Sequence, residues 1–331
     1  MKTGLVIAAL FVTAVLSLNA VDEGSLAARY ADTIVPYVAA NSQPGQMRTP
    51  DGAVLHWLKT TNGDPRRIMV LLGGHTESCV KYDEMLYDLR DTRLTIYALD
   101  QRGQGLSSRM LPDREKDHVD TYERYQSDLE QFMREVVSPG PGSRVILLGH
   151  SLGGAVAALF AERHPQQLSG LILSSPYLGS KAGGLALFLV RTLDFFGAGT
   201  SYVPGGGPFD FVPFEKNAET HSRVRHERKM QDYRDQPDTR LGYPTNHWLW
   251  EMEKQAAEIR RNAAGLAVPV LVLQAGDDKI ADTTLQDRFA LDAHAEKVLL
   301  PGAYHEILIE TDQIRNAALD KIRSFIAANC P

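Results

Sequence analysis

A chain of 331 residues, 44% hydrophobic and 23% charged, can bury the core of one large α/β domain with an insertion, and its composition excludes disorder. Its formal net charge of −6 argues against a nucleic-acid partner, which calls for a basic surface. Two cysteines, and ten histidines without metal-ligand spacing, exclude a disulfide scaffold and a zinc cluster, so neither metal nor cofactor is expected.

Residues 1–20 hold Lys2, an apolar run at 4–18 and then Asn19-Ala20, the layout of a secretory signal peptide cleaved after Ala20. An uncleaved N-terminal anchor is the alternative, although the run is shorter than the ~20 residues a membrane span prefers. A buried helix is the plainer third option. Export, to the periplasm or the medium, follows from the first reading, and membrane anchoring from the second. Either would permit a Cys79–Cys330 disulfide, but Cys330 is the penultimate residue, where chains fray, and two free thiols are expected.

Met47-Arg48-Thr49 and residues 54–58 flank Pro50-Asp51-Gly52 as a hairpin. Strands are predicted at 68–72 and 94–99, with a helix over 82–89 between them and the glycine-rich loop 100–105 after them. A helix at 122–137 leads to a strand at 145–148. Further strands are predicted at 171–173, 268–273 and 297–300, and a closing helix at 313–328. This alternation predicts an α/β fold with a doubly wound, mostly parallel sheet and its ligand at the carboxyl ends of the strands. Between 179 and 267 it gives way to an apolar helical segment at 185–196, glycine–proline breaks and a charged stretch at 220–234. That insertion reads as a helical cap, dividing the core into residues 21–178 and 268–331.

The sharpest local signal is Gly149-His150-Ser151-Leu152-Gly153, set between the apolar strand and a run of helix formers. A strand passing straight into a helix must turn sharply, and glycines on both sides permit that turn. The pattern reads as a nucleophile elbow, with Ser151 exposed at the sheet top and the N–H of Leu152 available to an oxyanion. An activated serine needs a base and the base an orienting carboxylate, in chain order Ser, Asp or Glu, His. Pro301-Gly302-Ala303-Tyr304-His305 follows the last strand and offers His305. Asp277, Asp278 and Asp282 all lie on the loop after the preceding strand. Asp278 is the expected acid, because Ile280 two residues on could anchor the loop and turn that carboxylate inward, and Asp277 is its rival. The N–H of His75, after Gly73-Gly74, is the expected second oxyanion donor. His150 is expected to pack beneath the elbow.

Across most of the chain after residue 45, GGHTESCVKYDEML at 73–86, ALDQRGQGLSSR at 98–109, GHSLGG at 149–154, LQAGDDKIAD at 273–282 and GAYHEIL at 302–308 resemble the bacterial lysophospholipase and monoglyceride lipase family of α/β-hydrolases. THSRVR at 220–225 and GYPTNHW at 242–248 resemble its lysophospholipase branch. The resemblance implies an α/β-hydrolase fold, a Ser151–Asp278–His305 triad, oxyanion donors at His75 and Leu152, and hydrolysis of a lipid ester. One departure is Gly73-Gly74, where the family often has His-Gly to support the oxyanion loop.

In the insertion, Phe188 and Phe196 are expected to line an acyl slot or touch a membrane surface, and Arg223 and Arg225 to attract a phosphate head group. The expected reaction is cleavage of lysophospholipids through an acyl-enzyme. A monoacylglycerol lipase or general carboxylesterase is the alternative, and a non-catalytic binding module a further one. No obligate protein partner is expected.

Overall fold

The structure is a computed structural model, and it describes residues 20–181 and 183–331. The expected signal peptide or anchor therefore lies outside the described residues, apart from Ala20. No helix among the described residues is long and apolar enough to cross a membrane.

Eight strands form one sheet: β1 (Ser42–Arg48), β2 (Val54–Thr61), β3 (Arg67–Leu72), β4 (Thr95–Leu99), β5 (Arg144–His150), β6 (Gly170–Ser174), β7 (Val270–Ala275) and β8 (Glu296–Leu300). Their order is β1-β2-β4-β3-β5-β6-β7-β8, antiparallel from β1 through β2 to β4 and parallel thereafter. The first strand begins at Ser42, five residues before the expected hairpin arm. It tolerates Pro44 because it is an edge strand.

The central strands read as unbroken apolar runs because both faces are covered. On β3, Ile68, Val70 and Leu72 enter one core while Met69 and Leu71 enter the other; on β5, Val145 and Leu147 oppose Ile146 and Leu148 in the same way. The first face packs on α4 (Glu123–Phe132) and α5 (Leu152–Arg163). The second packs on α1 (Glu23–Arg29), α2 (Val35–Asn41), α3 (Asp83–Asp88) and α10 (Asp312–Asn329). Residues 152–161 of α5 are buried all round, as a helix at the centre of the stack must be.

The helices at 23–41 were not anticipated. Leu26, Tyr30, Ile34 and Val38 recur every four residues and seat the segment on the second core, while Asp22 caps α1 by accepting from Ser25 N at 3.0 Å. Between β6 and β7 the chain forms α6 (Gly184–Leu193), α7 (Arg223–Asp235) and α8 (Asn246–Asn262), and α9 (Thr283–Asp292) joins β7 to β8. The inserted segment reaches the carboxyl end of the sheet, where Tyr233 OH donates to Thr76 O at 2.8 Å. Cys79 and Cys330 are buried free thiols.

Candidate active site

Ser151 sits between β5 and α5 with φ +49° and ψ −114°, a backbone state non-glycine residues rarely adopt. The flanking glycines make it possible. A Cβ on Gly149 would fall on Gly153 O, and one on Gly153 would fall on Leu72 O. Ser151 N donates to Ser174 O at 3.0 Å and Ser151 O accepts from Tyr177 N at 2.9 Å, which pins the turn to β6 and the residues after it. Leu152 opens α5, so its N–H has no partner within the helix.

The loop after β3 is braced by side chains. Gln101 Nε2 donates to Gly73 O at 2.8 Å, Gly74 N to Glu77 Oε2 at 2.6 Å, and Thr76 N to Gln104 Oε1 at 2.7 Å. The N–H of His75, between two engaged amides, has no hydrogen-bond partner among the described residues. Its ring lies 5.2 Å from that of Trp248, with Nε2 3.2 Å from Asp117 Oδ2. Glu77, Gln101 and Gln104 thus brace the loop at which Gly73-Gly74 departs from the family's frequent His-Gly.

Asp278 and His305 come together from the loops after β7 and β8. Asp278 Oδ2 lies 2.8 Å from His305 Nδ1, and both side chains are buried. Asp278 Oδ1 accepts from Ile280 N at 2.8 Å and Ala281 N at 2.9 Å. Those amides turn the carboxylate inward. The expected anchor, the Ile280 side chain, instead stays exposed at 40%. Asp277 is also exposed and makes no contact with His305. Burial would raise the Asp278 pKa, but the hydrogen bond and charge of His305, with the two amides, hold it below the ordinary carboxylate value. Burial would lower that of His305, but Asp278, then Glu306 and Glu219, raise it above an ordinary imidazole. An ionised Asp278 only accepts, so Nδ1 carries the proton and Nε2 is left with a free lone pair. The His305 ring lies 5.0 Å from that of His150, the residue before Ser151.

Of the four residues expected to meet the substrate or a membrane surface, Arg223 and Arg225 are engaged by acids, and Phe188 and Phe196 face outward and do not line an acyl slot. Arg225 is 2% exposed, and its guanidinium binds Glu84 Oε1 at 2.9 Å, Asp312 Oδ1 at 2.8 Å and Glu310 O at 2.7 Å. It clasps α7 to α3 and α10 and is buried away from the surface a phosphate would reach. Arg223 faces solvent and pairs with Glu215 at 2.7 Å and Glu227 at 3.5 Å. Phe188 and Phe196 are 65% and 78% exposed and belong, with Leu185, Leu189 and Phe195, to an outward apolar face. Only Val190 of α6 is buried.

A groove of about 400 Å³ opens in front of the loop after β3, with His75, Thr76, Phe209, Val212, Met230 and Ile280 in its walls. Lys216 also lines it and has no acid partner among the described residues, a cation nothing in the local sequence marks out. His150 does pack beneath the elbow, but both ring nitrogens face acceptors, Ser174 O at 3.1 Å and Glu306 Oε2 at 3.2 Å. Glu77, His150 and Glu306 are close enough to share a cation. The ammonium groups of Lys81 and Lys229 already lie on these carboxylates, so the donor set does not fit a metal.

A family profile described as serine aminopeptidase, S33, matches residues 63–312. Lysophospholipase L2 of Escherichia coli (strain K12) is 35% identical over 271 residues, which is 78% of this chain and 80% of that protein. A monoacylglycerol lipase of Mycolicibacterium smegmatis is 26% identical over 275 residues, 82% of this chain and 91% of its own. Among solved structures, a soluble variant of monoglyceride lipase from Saccharomyces cerevisiae with a substrate analog aligns at a TM-score of 0.72 and 20% identity. That alignment covers 88% of this chain and 96% of the yeast chain.

Proposed function

The chain belongs to the serine aminopeptidase S33 family and has the α/β-hydrolase fold; from that premise we propose that it is a carboxylic ester hydrolase removing the fatty-acyl group of lysophospholipids. In this reading Ser151 Oγ attacks the ester carbonyl as His305 Nε2 takes its proton, and Asp278 holds the resulting imidazolium. The N–H groups of His75 and Leu152 receive the oxyanion. Collapse of the tetrahedral intermediate expels the glycerophosphoryl alkoxide, which takes the proton from His305 and leaves an acyl-Ser151. Water then attacks by the same route and frees the fatty acid.

The observation that carries the reading is the 2.8 Å Asp278–His305 contact, set against the elbow that holds Ser151 in its strained turn. The outward apolar face of α6 fits contact with a lipid surface, where its exposed leucines and phenylalanines would leave water. The N-terminal run fits export by signal peptide or anchor. A monoacylglycerol lipase is the second reading. The groove favours it in one respect: its walls are largely apolar, and Lys216 is its one unpaired cation among the described residues. The test is turnover of matched lysophosphatidylcholine and monoacylglycerol by the wild type and Ser151→Ala. Loss of about four to six decades in the variant, with an unchanged melting curve, is expected. A variant retaining a tenth of the activity would refute the mechanism.

A further inference from the structure

Behind Ser151 and His305 lies a buried set of charges that the acyl-transfer scheme does not use. Glu306 follows His305 in the chain. Its carboxylate meets Lys81 Nζ, His150 Nε2 at 3.2 Å and Lys229 Nζ at 3.2 Å. Lys229 comes from α7, and its ammonium also holds Glu219 at 2.8 Å. Lys81 meets Glu77, whose other oxygen accepts from Gly74 N at 2.6 Å and Tyr82 OH at 2.5 Å. One series of contacts therefore joins the cap, the base loop, the elbow and the oxyanion loop.

The cap also runs along the base loop through its backbone. Glu306 N donates to Glu219 O at 2.9 Å, and Thr220 Oγ1 donates to Ile309 O at 2.7 Å. The His221 ring lies 3.8 Å from that of Tyr304, and His221 Nδ1 lies 2.8 Å from Glu310 Oε1. Between β8 and α10 the loop carrying His305 has only the short 3₁₀ turn Ile307–Ile309 as regular structure. Ala303, Ile307 and Leu308 seat this loop on the core, and the inserted segment holds its other side.

Resting on the serine-hydrolase reading, we infer that Lys229 is a positioning residue of the reaction: from the cap, through Glu306, it fixes the place of His305 and the charge around it. Asp278 faces His305 from the loop after β7, Glu306 from its own loop, Glu219 from the cap and His150 from the elbow, with Lys229 and Lys81 behind the glutamates. Burial opposes a charge on Lys229, but Glu219 and Glu306 outweigh it and keep the ammonium protonated. Burial likewise opposes the Glu306 carboxylate, and Lys81 and Lys229 hold it ionised. Removing the Lys229 charge leaves both glutamates undercompensated, so a proton on His305 is held more tightly. Removing the Glu219 charge has the reverse effect. A base works only when unprotonated, so the acid limb of the pH profile moves up in the first case and down in the second.

The test is kcat and KM for p-nitrophenyl butyrate over about pH 5 to 9, in the full chain and in Lys229→Met, Lys229→Arg and Glu219→Gln, with melting curves for each. Lys229→Met is expected to lose about tenfold or more in kcat with KM within about twofold, and to move the acid limb up by about half a pH unit. Lys229→Arg should return the limb to its wild-type place, and Glu219→Gln should move it down. Lys229→Met and Glu219→Gln proteins that keep the wild-type limb overturn the inference, whatever their melting temperatures. Should Lys229→Met fail to fold, Glu219→Gln decides alone, since that side chain is one-third exposed. Labelling of wild-type Ser151 by a fluorophosphonate separates the two claims. A labelled, active wild type with unmoved limbs refutes only the role of Lys229, whereas a wild type that neither labels nor turns over refutes the hydrolase reading and the inference with it.

Discussion

Asp278→Asn is the substitution whose effect the geometry specifies most completely. Asp278 Oδ1 accepts from the N–H groups of Ile280 and Ala281, at 2.8 and 2.9 Å, and these donors will keep the oxygen of an asparagine amide for themselves. The amide NH₂ must then occupy the place of Oδ2, 2.8 Å from His305 Nδ1. Two donors cannot face each other, so Nδ1 becomes the acceptor and the proton moves to Nε2. That tautomer cannot take a proton from Ser151, and it also lacks a carboxylate to stabilise the imidazolium. Losing base and stabiliser together costs about four decades in kcat, or about 5 kcal/mol of transition-state stabilisation. The oxyanion donors stay in place, so KM should move little. Asp277→Asn, on an exposed side chain without contact to His305, should stay within about twofold of wild type. The assay is kcat and KM on lysophosphatidylcholine and on a nitrophenyl ester, beside thermal melting. An Asp278→Asn enzyme within tenfold of wild type, or an equal loss in Asp277→Asn, would refute the tautomer argument.

Two further outcomes separate binding from architecture. Arg225→Met should destabilise by about 3 kcal/mol, because it removes a buried guanidinium from Glu84 and Asp312 and leaves Glu84 with Arg315 at 3.3 Å, while KM for lysophospholipid in the surviving folded enzyme stays unchanged; a KM rise with unaltered melting would return Arg225 to the substrate. Lys216→Ala should raise KM for lysophosphatidylcholine about threefold to tenfold and leave monoacylglycerol unaffected. Equal KM changes for both substrates would show that Lys216 does not read the phosphate.

Whatever depends on neighbours in the chain was legible from residues alone. The apolar runs at 68–72 and 145–148 name their strands because burial on both faces demands it. Ser151 between Gly149 and Gly153 names the elbow because a Cβ at either glycine would collide with backbone. The four-residue spacing of Leu26, Tyr30, Ile34 and Val38 carries a helical period too, a weaker signal than the apolar run that precedes it.

Tertiary structure decided the questions that turn on partners distant in sequence. Arg223 and Arg225 are two residues apart and alike in composition, yet one faces solvent and the other is locked to Glu84, Glu310 and Asp312. Phe188 points outward because α6 buries only Val190, and Phe196, in the turn after α6, is equally exposed, which a hydrophobic count cannot show. The choice of Asp278 over Asp277 as the partner of His305 came from two backbone amides, and the Glu77–Lys81–Glu306–Lys229 series came from three segments far apart in the chain. The physical reason is the same in each case. A backbone turn or an apolar run is constrained by its neighbours in the chain, whereas the meaning of a charge depends on which opposite charge the fold brings within a few ångströms of it.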